Sequence, residues 1–373
     1  MRRIKVGVKL FETNTPGHYL LGTPKYFIRI STLAEKALAL EIAKGRSDSE
    51  IFQEPGVDHE ALEKIFSELE ALQLIDSRES SLKVSQRFIS KVEERVEKSK
   101  KGFVDAALLQ LQSRALPELN QSRWISGVQD GGINSLTSRQ NHLIEISGQN
   151  RVATILYSLL LLSGFSQVRF APESRNRRPQ IGDGDIGVIG IGPSEIGKSF
   201  RNHCESLRKE FSLFPLDRDH NYLDELSTPE LRVHCGDSDP EKFSHWMSTS
   251  QNFLLIPNPQ GDIAEIGPLV IPGKSPCMRC LLLVARDQNR AQQHIDFAAS
   301  GEVEYPHIAA HFIASMVASL IANYFDSHIQ DNRSQELVGT VVTVDYQSLS
   351  RPRSIVIPRH PLCGCAFQQL TEK

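Results

Sequence analysis

Two close cysteine pairs carry the plainest chemical signal in this 373-residue sequence: Pro276-Cys277-Met278-Arg279-Cys280 and His360-Pro361-Leu362-Cys363-Gly364-Cys365. They hold four of its six cysteines. Four thiolates in two pairs are the donor set of a structural zinc ion. The two-residue spacer of the first pair lets both sulfurs reach one metal from a tight knuckle. Gly364 gives the second pair a tighter bite and can take the positive φ of such a turn. A closed four-sulfur shell leaves no position for water or substrate, so this metal would hold structure and do no chemistry. The alternatives are two disulfides, a redox pair or four unrelated thiols. The opening Met1-Arg2-Arg3-Ile4-Lys5 leads into alternating polar and apolar residues rather than a signal segment. A cytoplasmic location is therefore expected, where disulfides are disfavoured and paired thiols mean metal or redox chemistry. A redox CxxC leaves the second pair unexplained. The expected cofactor is one structural Zn2+ on Cys277, Cys280, Cys363 and Cys365, clamping the C-terminal segment onto the body of the chain. Cys204 and Cys235 each follow a histidine and read as ordinary half-buried thiols.

A second pattern competes for attention. Gly192-Pro193-Ser194-Glu195-Ile196-Gly197-Lys198-Ser199 fits G-x-x-x-x-G-K-S letter for letter. A strand is expected before it at 186–191 and a helix after it, and Asp345 stands where a magnesium-holding strand end could be. Such a loop cradles phosphates with its amides and lysine. Against this, Pro193 removes an amide, Glu195 brings negative charge into a loop built for anions, and the second cysteine pair follows Asp345 closely. The match reads as a decoy.

These groups need elements to position them. The length predicts two or three domains. Hydrophobic residues at 40% suffice for real cores, and a formal charge of −3 gives no electrostatic case for a nucleic-acid partner. The apolar run 308–324 contains His311, Ser315, Ser319 and Asn323, so it reads as a buried helix and not a membrane span. No internal repeat is evident. Strand candidates at 5–11, 18–21 and 26–30 are separated by turn residues. Helical spacing follows at 33–42, ended by Gly45, then at 48–53, then after the N-cap Asp58. Three strands followed by three helices outline a small winged-helix domain. The last helix presents Glu60, Glu63, Lys64, Glu68 and Glu70, an acidic face on balance that phosphates would repel. A third strand with an open edge, flanked by that helix, suits a guest peptide strand better; the other reading is a domain that only packs on the rest of the chain. A helical connector with charge pairs at 92–98 follows.

From 142 the pattern becomes strand (143–147), helix (151–163), strand (168–171), the entry unit of a doubly wound α/β domain. Its first turn, Ser147-Gly148-Gln149-Asn150-Arg151, has one glycine where a phosphate-binding turn needs several. No acidic residue ends the second strand, so the nucleotide site reads as degraded. Further strands are expected at 231–234, 253–257, 266–271, 338–346 and 354–357, with helices at 240–247, 281–292 and 308–329.

The segment from Gly267 to Cys280, followed by Leu281 and Leu282, resembles the zinc knuckle of the ThiF-like proteins of azoline-peptide (TOMM) biosynthesis. His360 to Cys365 is similar to their C-terminal knuckle. The resemblance implies a winged-helix-like peptide-recognition domain at 1–85, a connector at 86–135, and a ThiF-like doubly wound α/β domain with a four-cysteine zinc site at 136–373. It implies a homodimeric, non-catalytic protein that binds the leader of a ribosomal precursor peptide for a YcaO-type, ATP-dependent cyclodehydratase in bacteriocin-type biosynthesis. Neither nucleic acid nor membrane is an expected partner, and no residue is expected to be catalytic. Carried over by position, the leader would lie between Tyr26, Phe27, Ile28, Arg29 and Ile30 of the third strand and Leu62, Ile65, Phe66 and Leu69 of the third helix. The long helix 308–329 is a candidate dimer contact. The alternative is an active adenylating enzyme of the ThiF and ubiquitin-activating type.

Overall fold

Capping chemistry fixes the first helices. Thr32 and Ser47 form reciprocal capping boxes with Glu35 and Glu50. Asp58 accepts from the amides of Glu60 and Ala61. These bonds satisfy N–H groups that no carbonyl of the same helix can reach. The computed structural model describes residues 1–77, 102–148, 150–172, 180–188, 190–214, 227–237, 239–288, 304–327, 337–348 and 351–365. The expected charge pairs at 92–98 lie outside these residues. The chain divides into two units, Met1–Ser138 with Asp326–Asp331, and Arg139–Phe325 with Asn332–Lys373.

The first unit runs β1 (Arg3–Ile4), β2 (Lys9–Glu12), β3 (Tyr19–Gly22), β4 (Phe27–Ile30), α1 (Leu33–Ala43), α2 (Asp48–Phe52), α3 (His59–Ala71), β5 (Ile75–Asp76), α4 (Gly102–Arg123) and α5 (Ile133–Ser138). Strands β2, β3 and β4 form an antiparallel sheet in that order, leaving β4 at an edge. Leu21, Ile28 and Ile30 from one face pack with Leu38, Ala39 and Ile42 of α1 and Leu62, Ile65, Phe66 and Leu69 of α3. The strand expected at 5–11 is divided. Gly7 takes φ +104°, the buried Lys5 ammonium donates to the Arg123 carbonyl at 2.9 Å, and β1 pairs instead with β5.

The second unit runs β6 (Ile144–Gly148), α6 (Arg151–Leu162), β7 (Val168–Phe170), α7 (Phe200–Phe211), β8 (Leu231–Cys235), α8 (Pro240–Ser248), β9 (Phe253–Ile256), β10 (Ile263–Ile266), β11 (Leu269–Val270), α9 (Met278–Gln288), α10 (His307–Ser327), β12 (Thr340–Asp345) and β13 (Arg353–Val356). The main sheet has the order β11-β9-β8-β6-β7. Its four strands β7, β6, β8 and β9 are parallel, and β11 is antiparallel. One face buries Ile144, Ile146, Val233, Leu254 and Ile256 with apolar residues of α6, α7 and α10. The other packs Phe253, Leu255 and Val270 on Phe243 and Trp246 of α8. Helices on both faces of a mostly parallel sheet make this a doubly wound arrangement.

A second sheet, β10-β12-β13, is antiparallel. The single strand expected at 266–271 is therefore two strands in two sheets, because Gly267 turns at φ +102° and Pro268 has no N–H for a ladder. Helix α10 is long and apolar enough to cross a membrane. It instead buries Ala310, Ile313, Ala314, Val317 and Ile321 in the main core.

Candidate metal centre and switch-point crevice

Cys277 immediately precedes α9 and Cys280 sits in its first turn, where helix-terminal amides favour thiolate. Cys363 and Cys365 follow β13. The four Sγ atoms lie within 4.8 Å of one another. Cys277–Cys363 is 3.4 Å, Cys280–Cys365 is 3.2 Å and Cys277–Cys280 is 3.9 Å. A tetrahedron with metal–sulfur bonds of about 2.3 Å has edges of about 3.8 Å, so the donor set fits one tetrahedral ion. The separations are well beyond a disulfide bond, near 2.04 Å, and all four remain thiols. Cys204 and Cys235 lie apart from them, buried in the main apolar core, more fully than their sequence context suggests.

A polar layer around the sulfurs was not singled out by the sequence. The His360 amide donates to Cys280 Sγ at 3.3 Å. His360 Nδ1 accepts from the Leu362 amide at 3.1 Å, so Nε2 carries the proton and donates to Asp287 Oδ2 at 2.8 Å. Arg359 donates to the carbonyls of Cys365, at 3.3 Å, and Gly273, at 2.6 Å, tying one knuckle to the other. Burial alone would raise the Cys280 thiol; the His360 amide and the neighbouring cysteines outweigh it and draw it down to about 7. Burial pushes Cys277 and Cys365 up. The His360 hydrogen bond holds Asp287 below the ordinary carboxylate range. Groups that hydrogen-bond a metal ligand are worth about 10–100-fold in metal affinity, and Asp287 acts one bond further out, through His360, which places it at the low end. Asp287→Asn is therefore expected to release metal to a chelator about 10-fold more readily, read by a competitive chromophoric chelator.

The phosphate-loop match at 192–199 has a different explanation. Among the described residues of 186–191 there is no strand of the kind expected; Gly187 lies at φ +88° and Gly190 at φ +74°. Gly192 to Lys198 repeats the backbone of Gly182 to Val188. Gly182 and Gly192 share φ −107° and −109°, the 3-10 turns Asp183–Asp185 and Pro193–Glu195 follow, and Ile186 and Ile196 share φ −56° and −57°. In each copy the last residue donates its amide to the acidic residue's carbonyl, Val188 to Asp185 and Lys198 to Glu195, both at 3.0 Å. Contrary to the expectation of no internal repeat, the chain thus holds a short one, seen in the backbone rather than in the side chains, and the lysine position is valine in its first copy. Lys198 Nζ pairs with Glu195 at 2.8 Å, and Ser199 caps α7.

The strand order reverses between β6 and β8, the place where open α/β sheets bind ligands. Gly148 ends β6 at φ +115°. A Cβ there would meet the Cys235 carbonyl oxygen at 1.7 Å. This glycine therefore serves strand packing whether or not a nucleotide approaches. Asn150 caps α6 through Ala153 and reaches Asn258 at 3.2 Å, which in turn reaches Asp237 at 2.8 Å. The anion position at the start of α6 faces a carboxylate of the chain itself. Both oxygens of Glu304 lie 3.4 Å from the Arg151 amide, and one accepts from the Tyr305 amide at 2.9 Å. The Arg151 guanidinium is spent on the carbonyls of Gly184 and Tyr305. Glu304 carries no local signal, since it is 153 residues from Arg151.

In the first unit, α3 buries Leu62, Ile65, Phe66 and Leu69 in the core together with Ile28 and Ile30 of β4. Tyr26, Phe27 and Arg29 are exposed. The residues carried over by position thus fall into a buried set that shapes the sheet and an exposed set along its edge.

No family model and no curated protein matches the sequence. Solved structures do. E. coli MccB with ATP is similar at 13% identity and TM-score 0.60, covering 98% of this chain and 99% of that one. The microcin C7 biosynthetic enzyme MccB in complex with N-formylated MccA is similar at 13% identity and TM-score 0.62, with the same coverage. A heterocyclase in complex with substrate and cofactor is similar at 14% identity and TM-score 0.51; the match covers 98% of this chain but 39% of that one. The likeness is one of fold: the chain has the mixed α/β, ThiF-like fold of MccB.

Proposed function

We propose that the chain is a non-catalytic, zinc-stabilised scaffold. It binds the leader of a ribosomal precursor peptide along Tyr26–Ile30 and presents the peptide to a YcaO-type, ATP-dependent cyclodehydratase for azoline formation, in the cytoplasm and as a homodimer. In this reading, 1–85 is the winged-helix-like recognition domain, 86–135 the connector and 136–373 the ThiF-like body. Zinc on Cys277, Cys280, Cys363 and Cys365 holds that body together. Ile28, Ile30, Leu62, Ile65, Phe66 and Leu69 act from within the core by setting the shape of the recognition edge.

The observation that carries the non-catalytic part is Glu304 beside the Arg151 amide, where a phosphate would need to sit. A resident carboxylate there repels a second anion. Support for the peptide part comes from the edge of β4, which no strand pairs among the described residues, and from fold neighbours solved with a peptide or a substrate. Fluorescence polarisation with a labelled leader peptide should give saturable binding to the full chain; no binding rejects the scaffold.

The second reading, an adenylating enzyme, is favoured by the shared fold with MccB, solved with ATP and with AMPCPP and MccA. Titration calorimetry with Mg-ATP separates the two. The scaffold is expected to show no saturable heat in the micromolar range, and Lys198→Ala no change. Micromolar binding of Mg-ATP by the wild-type chain overturns the scaffold.

A further inference from the structure

The edge of β4 has a readable chemistry of its own. The Thr23 amide donates to the Tyr26 carbonyl at 2.7 Å, which makes Thr23 and Tyr26 a hydrogen-bonded pair closing the β3–β4 hairpin. Such pairs alternate along an antiparallel ladder. With Gly22 opposite Phe27, Leu21 opposite Ile28 and Leu20 opposite Arg29, it is Ile28 that bonds to β3. The main-chain N–H and C=O groups of Phe27 and Arg29 point to the outer edge. Among the described residues no strand pairs with that edge.

The side chains of the same two residues share the outer face of the sheet, since Ile28 and Ile30 point into the core. The cross-strand rows on that face are Lys9–Gly22–Phe27 and Phe11–Leu20–Arg29. Phe27 and Phe11 are 41% and 37% exposed. The charged members of these rows, Lys9 and Arg29, are both cations, both exposed, and among the described residues neither is ion-paired.

We propose that this edge takes an extended peptide strand bearing an apolar residue beside Phe27 and an acidic residue two positions away beside Arg29, and that Arg29 is the residue that sets this preference. A guest strand added at β4 continues both rows. Its residues on the outer face are two apart in sequence. One extends the row ending in Phe27, where an apolar side chain covers exposed ring. The other extends the row ending in Arg29, where an opposite charge directly across is favoured and a like charge is disfavoured. The proposal rests on the peptide-binding reading above and adds to it the chemical class of the peptide.

The test is a selection from a random dodecapeptide phage library on the full-length chain, repeated with Arg29→Glu and Arg29→Gln. The enriched peptides are then synthesised and measured by fluorescence anisotropy. Residue 29 is exposed, so both variants should keep the wild-type circular dichroism. Wild-type selection should enrich sequences with an acidic residue two positions from an apolar one. Replacing that acidic residue by lysine should weaken binding at least about threefold. Arg29→Glu should reverse the preference to lysine or arginine, and Arg29→Gln should erase it. If peptides bind but acidic residues are not preferred, or the preference survives Arg29→Glu, this inference falls and the scaffold stands. If no peptide is enriched, both fall.

Discussion

Cys363→Ser protein is expected to elute without bound metal, while the wild-type chain carries about one zinc ion per chain. The Cys363 sulfur is buried and sits 3.4 Å from Cys277. A serine oxygen at that position is a shorter, harder donor that stays protonated at neutral pH, so the tetrahedron loses a corner. Structural zinc contributes folding free energy directly. A loss of about 4 kcal/mol lowers Tm by about 10 °C in a unit of this size. The segment after β13 should also become protease-sensitive, because the Arg359 and His360 contacts presuppose closed knuckles. Elemental analysis and a thermal melt check this; full zinc content in Cys363→Ser would contradict the four-sulfur assignment. Each ligand must be a thiolate, so protons compete with the metal, and wild-type retention should fall as pH falls.

Gly148→Ala is expected to be the most destabilising small substitution in the α/β unit. The new Cβ would lie 1.7 Å from the Cys235 carbonyl oxygen, and φ at this position is +115°. Relief requires β6 and β8 to separate, although these central parallel strands bond along their whole length, from Ile144 opposite Leu231 to Gly148 opposite Cys235. A cost of about 3–5 kcal/mol follows, at the upper end for a single residue. Gly192→Ala is the control. Its φ is −109° and no atom lies within 4 Å of the added carbon, so it should unfold at the wild-type urea midpoint, within about 0.5 kcal/mol. If Gly148→Ala also unfolds at the wild-type midpoint, the β6–β8 contact is not the reason for the glycine.

Local signals carried well from sequence to structure. The cysteine spacing is such a signal, and so are the cap Asp58, the stripe on α3 and the apolar helix α10. What failed was set by backbone or by distance. Residues 186–191 look like a strand because isoleucine and valine alternate with glycine, yet two of those glycines hold positive φ and turn the chain. The 266–271 run is apolar throughout, and Gly267-Pro268 divides it between sheets. Pairing of β1 with β5 joins short segments some seventy residues apart, and no window of sequence contains both. Glu304 is invisible for the same reason: only the fold brings it to Arg151.

The thiol tetrahedron has a consequence for how the chain is made. Cys277 and Cys363 are 86 residues apart, and at about 5–20 residues per second a ribosome takes on the order of ten seconds to bridge that gap. During that interval the first knuckle leaves the exit tunnel as two thiols with half a coordination shell. Translation in an oxidising or copper-loaded cytosol would strike this nascent species first, so yield of folded protein should track cellular thiol and metal homeostasis more closely than the stability of the finished molecule would indicate.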